Sequence, residues 1–232
     1  MKKILSDYLN IYTTFPAEMC LSKPQRTQRH QALKTWIDST FEEMPTLEEV
    51  VNFMKDYDHI SYQKPFFEKV LFPQVENDIQ HGSVLGIKFL IDYPIVKHYT
   101  NNSSRKLFEA FLNKNYPKFD AIDLINQLLT VEPNHEIALF EKHRLLQTWL
   151  KFSIHSMPYG ILDGKNIDGT GSMEHLYYWL DELKVLSEKL CKDNHELIEE
   201  CSILFPAWEG YLTCFERHQG FKDFLDQQGI EY

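Results

Sequence analysis

The stretch from Pro117 to Pro158 constrains this chain most, because two helical patterns meet there at the turn Val131-Glu132-Pro133-Asn134. Pro117 suits a first helical turn, where a missing N–H costs nothing. Apolar residues follow at Phe119, Ile122, Ile125 and Leu129, with Leu124 and Leu128 beside them, which is helical spacing. Pro133 disfavours the helical state of the residue before it and ends that helix. Asn134 is then a suitable N-cap for the next one.

The second pattern predicts a helix from His135 to about Ser156. On a helical wheel its apolar arc carries Phe152, Leu145, Ala138, Trp149, Leu146, Leu139, Leu150 and Ile154. The arc spans roughly 200°, wider than the stripe of an ordinary surface helix. Such a helix is expected at the centre of a fold, with Trp149 buried and its truncation to Ala costing about 3–5 kcal/mol. Lys142, His143 and Ser153 also fall inside the arc. Lys142 is expected to snorkel and His143 to lie near the arc's edge.

The rest of the chain reads the same way. Residues 1–21 predict a short helix or an arm carrying Tyr8, Leu9, Tyr12 and Phe15. Ser22 with Gln25, and Thr46 with Glu49, fit capping boxes that open helices. Pro65 to Gln80 carries an apolar helical pattern interrupted by Pro73, which predicts a kink or two short helices. Ser83 caps a short apolar helix that Tyr93-Pro94 breaks, and a further helix is expected from about Ser103 to Leu112. After residue 171, Ser172 and the Asp193–Glu196 segment mark two more helix starts, and Pro206 and Gly210 should bend the last long helix. No segment alternates strictly over four or more residues, so strands are not needed. The fold class is all-α: antiparallel helical hairpins forming a bundle or an irregular α-solenoid. A single domain over 1–232 is expected, with a point of subdivision near 158–171.

Composition narrows the classes of function. The apolar fraction of 43% supports a core, and the charged fraction of 25% is ordinary for a folded domain. Asp plus Glu exceed Lys plus Arg by 34 to 24, a formal charge of −10. That balance argues against nucleic acid or an anionic membrane as a partner and suits a basic protein. No run approaches the ~20 apolar residues of a membrane span. Ser6, Asp7 and Asn10 interrupt the apolar core that a leader beginning at Met1 requires. The four cysteines, Cys20, Cys191, Cys201 and Cys214, show no Cys-x-x-Cys spacing. They read as reduced thiols of a cytoplasmic protein.

One segment breaks the helical pattern. Residues 158–171, PYGILDGKNIDGTG, carry turn chemistry throughout, with Gly160, Gly164, Gly169 and Gly171. A P-loop fails here, because Gly164-Lys165-Asn166 lacks both the spacing and the hydroxyl. An EF-hand loop opening at Asp163 places Glu174 at its closing position. Lys165 and Asp168 then stand where a carboxylate and the turn glycine are required. Free N–H groups at Gly169–Ser172 can hold an anion, but a capped helix start explains the same residues. His135-Glu136 and His195-Glu196 lack the second His of a zinc-protease helix, since Leu139 and Glu199 occupy that position. No cofactor or metal is therefore expected. Tyr177, Tyr178 and Trp179 are consecutive on a helix and cannot all face one core.

The helix–Glu-Pro-Asn–helix join, through Ala121, Leu128, Leu129, Pro133 and Ala138, resembles the junction between tetratricopeptide repeats. The resemblance covers one junction, with no second copy at the roughly 34-residue period of such repeats. It implies antiparallel helix pairs without a regular array. In size, acidity and helical content the chain also resembles the helical immunity proteins encoded beside bacterial toxins. That resemblance implies a cytoplasmic, non-enzymatic protein that covers a basic surface. The expected contact residues are Asp163, Asp168 and Glu174 as an acidic rim, with Tyr177 and Tyr178 as anchors. Two alternatives stand beside it: an enzyme with a pocket under the 158–171 loop, and a helical scaffold or chaperone-like adaptor.

Overall fold

A computed structural model describes residues 1–15, 21–60, 62–92 and 121–232. Every regular element among them is helical. They divide into two compact units, Met1–His135 and Glu136–Tyr232, and the boundary falls in the Pro133 turn. The expected helix over 103–112, the start at Pro117 and the break at Tyr93-Pro94 lie outside the described residues.

In the first unit α1 (Lys3–Thr14) buries Ile4, Leu5, Tyr8, Ile11 and Tyr12, one stripe at helical spacing. It packs on α2 (Lys23–Asp38), which opens with the Ser22–Gln25 capping box. The indole N–H of Trp36 crosses from α2 to donate to the Ile4 carbonyl at 2.9 Å. The Tyr8 ring lies 4.7 Å from Phe66 and 5.0 Å from Trp36, so the core of this unit is aromatic. α3 (Leu47–Asp56) opens with the reciprocal Thr46–Glu49 box.

The pattern around Pro73 resolves as α4 (Lys64–Phe66), one π turn (Phe67–Leu71) and α5 (Phe72–Gln80). Pro73 has no N–H to return to the preceding turn, and the helix accommodates it by widening just before it. The π turn carries Lys69, whose ammonium donates to the carbonyls of Trp36, Ile37 and Ser39 at the end of α2. It satisfies helix-terminal acceptors that have no partner of their own within α2. α6 (Val84–Asp92) packs against α5 and against α7 (Ala121–Val131). Lys88 on α6 pairs with Glu132 just past α7 at 2.8 Å.

The second unit is built from α8 (Glu136–Ile154), α9 (Glu174–Leu190), α10 (His195–Cys214) and α11 (Phe221–Gln228). α8 and α9 pack as a hairpin, α10 packs on both, and α11 packs on α10. α9 buries Leu176, Leu180, Leu183 and Leu186, and α10 buries Leu197, Cys201, Leu204, Phe205, Trp208 and Tyr211. α10 stays helical through Pro206 and Gly210.

The buried face of α8 lies wholly within the arc of its wheel but is narrower, because one edge of the arc is left out. Leu139, Lys142, His143, Leu146, Leu150 and Ser153 are buried, while Phe152 is 52% exposed and Trp149 only half-buried. The three polar members of the arc stay in the buried face, where each finds a partner. Lys142 pairs with Glu182 of α9, His143 meets Asn194, and the Ser153 hydroxyl donates to the Leu150 carbonyl at 2.8 Å. Once hydrogen-bonded, such groups no longer oppose burial.

Candidate functional site

The 158–171 loop leaves the end of α8, returns to the start of α9, and is tied down along its length. The Leu162 amide donates to the Ser153 carbonyl at 2.8 Å. The Asn166 amide donates to the Thr170 carbonyl at 2.7 Å, closing a turn in which Gly169 also donates to the Asn166 carbonyl. Beneath the loop stands Trp208 of α10, buried, with its indole N–H donating to the Lys165 carbonyl at 2.7 Å. Its ring approaches so closely that a Cβ on Gly160 would lie 3.1 Å from it. Gly171 is required too: its φ is +80°, and a Cβ there would sit 2.4 Å from the Gly164 carbonyl oxygen. The glycines are explained by close approach and turn geometry.

Of the expected contact residues, Asp163 is exposed at a left-handed turn with φ of 57°, a conformation Asp tolerates. Asp168 is exposed as well, and its carboxylate accepts from the Thr170 amide at 2.9 Å and from the Thr170 hydroxyl. Those bonds, the hydroxyl's first, hold its carboxyl below the usual range. Glu174 is exposed in the first turn of α9, where its amide donates to the Ser172 hydroxyl at 3.1 Å. None of the three carboxylates meets a cationic partner among the described residues.

The two tyrosines part company. Tyr178 is 52% exposed. Tyr177 turns toward α10, its ring edge-on to Phe205 at 5.8 Å and its hydroxyl donating to Glu209 Oε2 at 2.7 Å. Burial first, and then the Glu209 carboxylate, push its phenol up. Tyr177 therefore fastens α9 to α10, while Tyr178 faces solvent on the same stripe as Glu174.

Further aromatic residues collect at this end of the hairpin. Trp149 near the end of α8 packs on Trp179 near the start of α9, with ring centres 4.7 Å apart. His175 meets Trp179 edge-on at 4.9 Å. These three rings are half-buried, and Phe152, Tyr159 and Ile167 are exposed nearby in the chain, Tyr159 by 84%. The sequence placed Trp149 in a core, and only the α8–α9 register shows it beside Trp179.

A cleft of about 320 Å³ lies between the loop and α10, lined by Lys165, Asn166, Ile167 and Gly169 on one side and Glu209, Leu212 and Thr213 on the other. None of the five expected contact residues lines it, although Tyr177 holds Glu209 on its wall. A second, more polar cleft of about 490 Å³ sits at the start of α10, around Gln147, Lys151, Asp193, Asn194 and His195. Among the described residues no three His, Cys, Asp or Glu side chains converge as metal ligands. No described helix is long and apolar enough to cross a membrane.

Fold and site together define an all-α protein with a braced loop and with exposed carboxylate and aromatic side chains at one end of a helical hairpin. No family model, curated protein or solved structure matches the chain.

Proposed function

We propose that this protein binds a basic protein surface through the loop end of the α8–α9 hairpin. The observation that carries the reading is the contrast at Trp208. Its buried ring and indole N–H hold the loop in place, while Tyr159, Ile167 and Tyr178 are left exposed in the same stretch of chain as Asp163, Asp168 and Glu174, which meet no cation among the described residues. An ordered loop loses little entropy on association, and exposed aromatic residues beside charges are the usual anchors of protein interfaces. A formal charge of −10 suits a basic partner and disfavours nucleic acid. In its concrete form the protein is an immunity-type inhibitor acting in the cytoplasm, where the three described cysteines stay as thiols. It covers a toxin's basic surface and needs no catalytic residue or cofactor.

The test begins with affinity capture from native lysate and continues with binding kinetics of the purified partner at several salt concentrations. Asp163→Asn with Asp168→Asn should lower the association rate several-fold at low salt and flatten its salt dependence. Tyr178→Ala should raise the dissociation rate by about tenfold or more, as loss of an anchoring aromatic does. Binding unchanged in every variant would reduce the loop to a connector. A small molecule that stabilises the protein only while Glu209 is intact would move the function to the cleft beside the loop.

A further inference from the structure

We propose that His143 is the sensor of an acid-operated latch: in its neutral form it holds Asn194, and with it the start of α10, and on taking up a proton it releases that helix start. The site lies at the other end of the α8–α9 hairpin from the loop and does not depend on the binding reading above.

The geometry is a closed set of hydrogen bonds around one amide. Asn194 Nδ2 donates one hydrogen to His143 Nε2 at 2.7 Å and the other to Ser187 Oγ at 3.0 Å. Asn194 Oδ1 accepts from Gln147 Nε2 at 2.7 Å. The Ser187 hydroxyl is spent on the Leu183 carbonyl at 2.6 Å, so toward Asn194 it only accepts. His143 Nε2 must then carry a lone pair, which assigns the proton to Nδ1 and makes the ring neutral. His143, Ser187 and Asn194 are all buried. Asn194 does not cap α10 with its side chain; its backbone carbonyl accepts from the Ile198 amide at 3.0 Å in the first turn.

A proton on His143 puts a donor at Nε2, facing the Asn194 amide hydrogens. Turning the amide over offers Oδ1 to the imidazolium, but sets its NH₂ against the Gln147 NH₂ and withdraws the hydrogen that Ser187 accepts. Gln147, half-buried on the cleft, can turn over in response, but the Ser187 oxygen still loses its donor and the imidazolium charge stays buried, which is costly. Asn194 is freed most readily by leaving the cluster, which loosens the first turn of α10 and the polar cleft that Asn194 lines.

The charges on the packed elements favour the neutral ring. Lys192, from the α9–α10 connection, lies over the Phe140 ring one turn before His143 on α8. Lys142 beside His143 is paired with Glu182 of α9, Lys189 follows Ser187 at the end of α9, and Asp193 and His195 flank Asn194. Burial first, and then the Lys192 charge, hold the His143 imidazole below its ordinary value. The unfolded chain takes up this proton first as pH falls. The contribution to stability is therefore complete above the ordinary imidazole value and is lost as pH falls toward the folded value.

Hydrogen exchange of the segment 187–200 in the full chain, corrected for intrinsic rates, tests the latch. Protection should fall progressively below about pH 6.5, by at most about tenfold per pH unit for one proton. His143→Gln keeps a hydrogen-bond acceptor that does not titrate, and should remove the pH step. Asn194→Asp should reverse it, because a carboxylate accepts from imidazolium and acid then tightens the site. Protection in the native sequence that is flat down to about pH 5, or a pH step that survives His143→Gln, overturns the proposal. If His143→Gln does not fold, acid loosening that persists in Asn194→Asp overturns it equally.

Discussion

Trp208 and Lys165 lie 43 positions apart in the sequence, and the indole N–H of the first donates to the backbone carbonyl of the second at 2.7 Å. The bond links the middle of α10 to the middle of the loop. Trp208→Phe keeps an aromatic ring against Gly160 and Phe221 but loses the donor. The expected cost is about 1–2 kcal/mol by urea unfolding, from one hydrogen bond and some lost packing. Amides of residues 162–171 should exchange faster in the variant while those of α9 do not. Loop protection equal to the native protein's would show that the turn bonds at Asn166–Thr170 suffice alone.

Trp149 and Leu146 are one helical turn apart on α8 and should respond very differently to truncation. Leu146 is fully buried, and Leu146→Ala should cost about 2–5 kcal/mol. Trp149 is half-buried against Trp179, and Trp149→Ala should cost about 1–2 kcal/mol despite removing the larger side chain. Denaturant unfolding of both variants gives the ranking, and the reverse order would place the packed face of α8 where the wheel alone puts it.

Lys69 holds the end of α2 through the carbonyls of Trp36, Ile37 and Ser39 and lies over the Trp36 and Phe41 rings at 5.5 and 5.2 Å. Lys69→Met preserves the aliphatic stem and removes the donors. The loss expected is about 2–3 kcal/mol, since charge-assisted bonds to poorly hydrated acceptors are worth more than neutral ones. Thermal unfolding should report it, and a variant as stable as the native protein would mean that water replaces the ammonium at no cost.

The thiols should separate by reactivity. Cys191 is exposed at the left-handed C-cap of α9, Cys214 is half-buried, and Cys201 is buried in α10. Burial first, and then the Glu200 charge, push the Cys201 thiol up to about 12. Site-resolved mass spectrometry after brief alkylation of native protein near neutral pH should find Cys191 labelled before Cys214 and Cys201. Cys201 should stay unlabelled until the protein is unfolded. Early labelling of Cys201 would mean that α10 opens locally far more often than its packing suggests.

Local signals were legible wherever a few neighbouring residues decide the outcome. The capping boxes at Ser22–Gln25 and Thr46–Glu49, the helix stop at Pro133, the disturbance before Pro73 and the glycine loop all depend on backbone chemistry within about one turn. The all-helical class followed from apolar spacing that strands cannot use. The arc of α8 held every residue the helix buries, but which edge of it is left exposed was not legible, because an apolar arc says what is willing to be buried and nothing of which groups will find partners. His143 needs Asn194, 51 positions away, and Lys142 needs Glu182, 40 positions away. The loop shows the same division. Its glycines announce a turn, but the ring beneath Gly160 and the carbonyl beside Gly171 come from residues that only the packed chain brings close. Among the described residues, sequence by itself determined where most helices start and stop, since those energies are local. Tertiary structure decided which edge of the α8 arc is left exposed and where Tyr177 and Trp149 point, since those energies belong to pairs of residues distant in the chain.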